Sequence, residues 1–148
     1  MPSPPTLFLD FDGVLHPNHA QDHQFFGRAP LLADALEGCQ VDIVISSSWR
    51  FQWDLPHIRT RLPASLQPMV TGVTGPAHIG RHARWHEISA YCTANGIKNW
   101  RALDDAVFEF PKDCEQLIRC DGGRGLQDAQ CDSLRCWLLG RWPRHWAS

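Results

Sequence analysis

Apolar residues along this chain fall into short runs separated by longer amphipathic stretches. The first run, Thr6-Leu7-Phe8-Leu9, stops abruptly at Asp10. A run this short, without alternation, predicts a strand buried on both faces. Val41–Ile45 repeats the pattern with β-branched residues and is stopped by Ser46-Ser47-Ser48. Met69–Val73 is a weaker third strand, Trp100–Leu103 a fourth stopped by Asp104-Asp105, and Gln116–Cys120 a fifth.

Helical patterns lie between these runs. Ala29 to Gly38 has Pro30 near its start and Gly38 just past its end, a helix with matching punctuation. Asp54 can cap a helix over Leu55–Leu62, with Pro56 tolerated in the first turn. Arg81–Asn95 carries Trp85, Ile88 and Cys92 at helical spacing before the terminator Gly96. Leu126–Leu139 predicts a closing amphipathic helix, before a tail containing Trp142 and Trp146. Leu15–Arg28 reads as a polar, histidine-bearing loop. This alternation predicts an α/β fold: a three-layer Rossmann-like sandwich with a mostly parallel five-stranded sheet and helices on both faces. A length of 148 residues favours one domain over 1–148, with 1–5 as a flexible start.

Composition changes this picture little. Hydrophobic residues at 43% and charged residues at 20% exclude extended disorder. The net charge of −2 supplies no bulk positive field for nucleic acid, so any such contact would be local. Arginines do gather late, at Arg135, Arg141 and Arg144. The six cysteines show no Cys-x-x-Cys spacing and are expected as free, mostly buried thiols. Met-Pro-Ser-Pro-Pro is not a charged-then-apolar leader, and no apolar stretch approaches membrane-spanning length. The expectation is a cytoplasmic protein without membrane association.

Candidate chemistry sits where strands end. In doubly wound sheets, sites form beyond the carboxyl ends of the strands. Here strands one, two and four end in Asp-x-Asp, Ser-Ser-Ser and Asp-Asp. Asp10 and Asp12, two apart on extended backbone, can face one site while Phe11 turns inward. Gly13 then frees the backbone to turn. Two carboxylates and a divalent cation suit phosphoryl chemistry, one attacking phosphorus and the other handling the proton. The plainer reading, acids in a polar turn, must explain three coincidences at one sheet edge.

The ordered set Asp10-Phe11-Asp12-Gly13-Val14, Ser46 after the second strand, and Asp104-Asp105 after the fourth resembles the haloacid dehalogenase superfamily of phosphohydrolases. Ser-Ser-Trp-Arg at 47–50, Leu-Asp-Asp at 103–105 and Gly125-Leu126 are similar to a small branch found as a domain in RNA-repair proteins. The resemblance implies that Asp10 is the nucleophile and forms an aspartyl-phosphate, with Asp12 as general acid and base. It implies Mg²⁺ held by Asp10, the backbone carbonyl of Asp12 and the fourth-motif acids, with Asp105 favoured as direct ligand and Asp104 as its support. Ser46 would bind a phosphoryl oxygen, aided by amides around Gly13; Ser47 and Arg50 are further substrate-binding candidates.

The third motif departs from the family. Its usual lysine is missing, and the region from Gly80 to Glu87 offers only Arg81 and Arg84. Arg84 is favoured, since arginine keeps the charge and gains a fork geometry, though either could simply face solvent. His82 and His86 read better as a solvated helix face than as a zinc pair. His16, His19 and His23 are either ordinary loop histidines or part of a substrate-touching flap. Trp49 is read equally as core or as site lining, while Trp137, Trp142 and Trp146 are expected to pack rather than stack on bases.

No insertion is long enough for a large cap domain. The expected function is Mg²⁺-dependent hydrolysis of a phosphomonoester at an open site, with a small molecule or a nucleic-acid end as substrate. Two alternatives stand beside it: a catalytically weak or inactive binding module, and a phosphotransferase.

Overall fold

A computed structural model describes residues 3–140. Arg141, Trp142, Arg144 and Trp146 lie outside the described residues. Strands β1 (Thr6–Leu9), β2 (Asp42–Ile45), β3 (Val70–Val73), β4 (Trp100–Asp104) and β5 (Leu117–Arg119) alternate with helices α1 (Ala29–Leu36), α2 (Leu55–Thr60), α3 (Ala83–Asn95) and α4 (Asp128–Leu138). The strands form one sheet in the order β3-β2-β1-β4-β5. Every pairing is parallel.

The near-continuous apolar strands follow from burial on both faces. Leu7, Leu9, Ile43, Ile45 and Leu103 project into the larger core with Leu32, Leu36, Ile58 and Leu134, from α1, α2 and α4. Phe8, Val44 and Ala102, at the intervening positions, meet Ile88 and Cys92 of α3 on the other face. Each fully buried large side chain in such a core contributes about 1.5–3 kcal/mol relative to exposure. The result is a three-layer α/β sandwich with no large cap among the described residues.

Helix ends follow local chemistry. Asp54 Oδ1 accepts the His57 amide at 3.0 Å and caps α2, and Gly96 takes the left-handed conformation that ends α3. Two starts differ from expectation. α3 opens at Ala83 because His82 is itself left-handed, with φ of 55°. α4 opens at Asp128 rather than Leu126, because Gln127 is extended (φ −127°, ψ 173°) and caps the helix in a reciprocal pair with Gln130, while the Leu126 amide bonds the Val14 carbonyl at 2.7 Å. That last bond ties the final loop to the first motif.

All six cysteines are free thiols; Cys92, Cys120 and Cys131 are buried. Burial pushes the Cys92 and Cys131 thiols up to about 11. Among the described residues, no helix is long and apolar enough to cross a membrane.

Candidate active site

Sheet parity assembles the site. Asp10, Ser46 and Asp104 each stand two residues beyond a side chain that faces α3: Phe8, Val44 and Ala102 respectively. Ladder bonds continue past the strands, from the Asp10 amide to the Leu103 carbonyl and from the Ser46 amide to the Leu9 carbonyl. All three polar side chains therefore emerge at one edge, on the face that α3 covers.

Asp10, Asp104 and Asp105 each offer a carboxylate oxygen within 4.8 Å of the others. Burial pushes the Asp10 carboxyl well above its ordinary range, and the charge of Asp104 adds to that push. Burial likewise raises Asp104, opposed by the Arg84 guanidinium. Arg84 Nη1 donates to Asp104 Oδ2 at 2.8 Å and lies 3.3 Å from Asp10 Oδ1. Burial works against the Arg84 charge, yet Asp10, Asp104 and Glu87 together hold its protonation above the ordinary arginine range. Arg81, in the turn before α3, is exposed. The structure thus brings Arg84, not Arg81, to the carboxylates.

The two acids of the fourth motif differ in their commitments. Asp104 is fully buried, with Oδ2 on Arg84 and Oδ1 accepting the Ala106 amide at 2.9 Å. Asp105 is half-buried, and its Oδ2 accepts the Asn18 side-chain amide at 2.8 Å. The Asp105 carboxylate lies against Gly13, where an added Cβ would meet it at 2.4 Å. Gly13 also has φ of 79°, so the position needs glycine for both space and conformation. Gly122 closes the other side of the same carboxylate, where a Cβ would come within 2.5 Å of Oδ2.

Asp12 stands apart from this cluster and is 47% exposed. Its Oδ1 accepts from His16 Nε2 at 2.7 Å and its Oδ2 from Trp49 Nε1 at 3.0 Å. The His16 hydrogen bond holds the Asp12 carboxyl below its ordinary range. Buried His16 accepts the Phe26 amide on Nδ1 at 3.2 Å, which places its proton on Nε2, facing Asp12. Environment therefore drives the two motif-one acids in opposite directions.

Ser46 Oγ is buried and has no hydrogen-bond partner. An orphan hydroxyl at a cluster of charged groups is a vacant contact for an oxyanion. Ser47 is also buried, but its Oγ accepts the Trp49 amide at 3.3 Å and caps the turn over Ser48–Phe51. Arg50 departs from its expected role as a phosphate contact. Its guanidinium bonds the carbonyls of Ser46, Ser47 and Gly75 and the Glu87 carboxylate. A guanidinium has five donors, and those bonds use all of them. Arg50 braces the Ser46 loop against α3 rather than reaching the cleft.

Sequence reasoning missed Glu87 as the bridge between Arg50 and Arg84, and it gave His16 no role in holding Asp12. The signal for His16 was its i, i+4 spacing from Asp12, which was legible only if the chain turned back on itself there. His82 instead lies 3.3 Å from the Phe108 carbonyl, and exposed His86 stacks on His78. Trp137 packs in the core and donates to Asn99 Oδ1 at 2.9 Å. A hollow of about 520 Å³ opens at the opposite end of the strands beside Thr6, Asp42 and Asn99, away from the carboxylates. A smaller cleft of about 330 Å³ adjoins Asp12.

Residues 6–131 match the family described as the HAD domain in Swiss Army Knife RNA repair proteins. No curated protein and no solved structure matches the chain.

Proposed function

The chain belongs to that family of HAD domains, and on this premise we propose that it is a Mg²⁺-dependent phosphatase that hydrolyses a phosphomonoester through an aspartyl-phosphate on Asp10. The observation that carries the reading is geometric: Asp10, Asp104 and Asp105 offer carboxylate oxygens within 4.8 Å of one another beside Arg84, and the buried Ser46 Oγ at the same sheet edge has no partner.

The donor set fits a hard divalent cation. It is all oxygen, and its mutual repulsion exceeds what Arg84 alone can offset. Asp10 and Asp105 would hold the ion with the Asp12 carbonyl, since Asp104 has both oxygens engaged by Arg84 and Ala106. When bound, Mg²⁺ would lower the charge repulsion between the carboxylates and the incoming phosphate.

This chain's own groups then carry the reaction. The Asp10 carboxylate attacks phosphorus, and the P–O bond to the leaving group breaks as that oxygen takes a proton from Asp12. An arriving phosphate dianion raises the proton affinity of Asp12 against the pull of His16, which prepares it as an acid. In the second half, Asp12, now a carboxylate, takes a proton from water as the water attacks the aspartyl-phosphate. Ser46 Oγ and Arg84 stabilise the phosphoryl oxygens, and Arg50 keeps the Ser46 loop in place. Arg84 supplies the charge of the missing lysine, which favours catalysis over a binding module. An open site without a large cap suits bulky esters, including the phosphorylated ends of RNA suggested by the family's description.

The test is acid-quenched mass spectrometry of the protein with substrate and Mg²⁺, read for a phosphoryl group on Asp10. Burst labelling of Asp10 that disappears with chelator supports the reading. Turnover without any labelled carboxylate would overturn it.

A further inference from the structure

The cleft beside Asp12 shares a wall with the acid–base group. It measures about 330 Å³ and is lined by Asp12, Phe25, Ser48, Trp49, Gln52 and Trp53. Its aromatic walls are locked edge to face. The Trp49 and Trp53 rings meet at 4.8 Å and 87°, and the Phe25 and Trp49 rings at 5.3 Å and 79°. Trp53 is stacked on His57 at 4.2 Å, and Phe25 packs on the buried His16 ring at 4.8 Å. Trp49 is further fixed by its hydrogen bond to Asp12. These walls need little ordering when something binds.

Reaction geometry says what that something is. Attack at phosphorus occurs opposite the bond that breaks, so the leaving oxygen points away from Asp10 and toward the group that protonates it. A cleft walled by Asp12 therefore receives the alcohol half of the ester, not the phosphoryl half. Apart from Asp12, its lining has no charged side chain, so the part of the leaving group seated in it is uncharged, and any further phosphates of a longer chain lie outside the cleft. Three aromatic walls, with the Gln52 amide and Ser48 hydroxyl among them, suit a planar ring with polar edges.

We propose that the Phe25–Trp49–Trp53 cleft is a nucleoside subsite, which stacks the base of a nucleoside phosphate whose sugar oxygen is the leaving atom at Asp12. The proposal rests on the phosphatase reading and deepens it. It makes Trp53 and Gln52 determinants of specificity, and gives Trp49 two tasks: wall of the subsite and donor to the acid–base carboxylate.

The experiment compares kcat/KM for glycerol phosphate, nucleoside 3′- and 5′-monophosphates, and 3′- or 5′-phosphorylated oligonucleotides. Wild type is expected to favour base-bearing esters over glycerol phosphate by at least about tenfold, the order of one base stack. Trp53→Ala should erase most of that preference, Trp53→Phe should restore much of it, and Gln52→Ala, at an exposed position, should reduce it in a fully folded protein. The nucleotide and oligonucleotide arms separate a free nucleotide from a nucleic-acid end as the source. A second arm measures calorimetric binding of an unphosphorylated oligonucleotide, the product, to Asp10→Asn, with and without Trp53→Ala. Glycerol phosphate turnover with no base preference overturns the subsite and leaves the phosphatase standing. Trp53-dependent product binding with no turnover of any ester supports the subsite and overturns the phosphatase. Equal losses on all esters in both Trp53→Ala and Gln52→Ala mark a purely structural role and sink the proposal.

Discussion

His16 Nε2 donates to Asp12 Oδ1 at 2.7 Å, while the His16 ring itself is held from behind by the Phe26 amide. Phe26 adopts φ of 62°, an uncommon conformation for a bulky residue, in order to present that amide. A left-handed backbone, a buried imidazole and a half-exposed carboxylate thus form one chain of positioning.

Removing the middle link should damage chemistry and stability together. His16→Ala leaves the Phe26 amide buried without a partner, at a cost of about 1–3 kcal/mol. It also leaves Asp12 held by Trp49 Nε1 alone, so kcat should fall by roughly tenfold or more with a smaller change in KM, since general acid–base groups supply about 10²–10⁴. Denaturant melts and steady-state kinetics read the two effects; unchanged kcat would remove His16 from the positioning of Asp12.

Asp10 should make the cation-free protein less stable as pH rises. Its carboxyl is raised above the ordinary value of 3.8, so the folded state holds a proton that the unfolded state has already lost. Stability from that proton is fully present below 3.8 and is lost as pH climbs through the raised value. Asp12 acts in the reverse sense, its contribution being lost as pH falls through its lowered value. In chelator, Asp10→Asn should therefore be as stable as wild type at low pH and more stable at neutral pH, while its turnover drops by several orders of magnitude. Melting temperatures across pH check the crossing; a variant less stable than wild type at neutral pH contradicts the burial argument.

The sheet was legible because each strand is an apolar run with an abrupt polar stop, and a parallel sheet covered on both faces demands such runs. Asp10, Ser46 and Asp104 were legible for the same reason, since side chains at strand ends inherit the parity of the strand. What was not legible depends on chain reversals. The return of His16 to Asp12, the five bonds that turn Arg50 inward, and the Leu126–Val14 tie between the last loop and the first motif all join loops whose geometry no periodicity encodes. Arg84 sat between the two cases: helical spacing narrowed the choice, and only the left-handed turn at His82 set which arginine faces the carboxylates.

Arg84→Ala should lower kcat/KM by about a hundredfold or more, the scale of one well-placed electrostatic contact. Arg84→Lys should recover part of this, because the charge returns without the fork. Arg81→Ala, at an exposed position, should stay near wild type. An inactive Arg81→Ala beside an active Arg84→Ala would reverse the assignment.

Mg²⁺ should raise the melting temperature by binding only the folded arrangement of Asp10, Asp104 and Asp105. Asp105→Ala should shrink that Mg²⁺-dependent rise more than Asp104→Ala does, because Asp104 has both oxygens already engaged. Asp104→Ala should instead lower the melting temperature even in chelator, since it removes the 2.8 Å partner of the partly buried Arg84 and the acceptor of the Ala106 amide. A rise that survives Asp105→Ala and vanishes in Asp104→Ala would exchange their roles.

Ser46→Ala separates binding from stability most cleanly. Its Oγ is buried with no partner, so the hydroxyl carries a desolvation cost that no hydrogen bond offsets in the free protein. Replacing it with a methyl group should leave stability unchanged or raise it slightly, where a structural serine would cost about 1 kcal/mol. The same change removes a phosphoryl contact, so kcat/KM should fall by roughly tenfold or more and product inhibition by inorganic phosphate should weaken. Stability that drops while phosphate inhibition holds would mean the hydroxyl serves the loop and not the substrate.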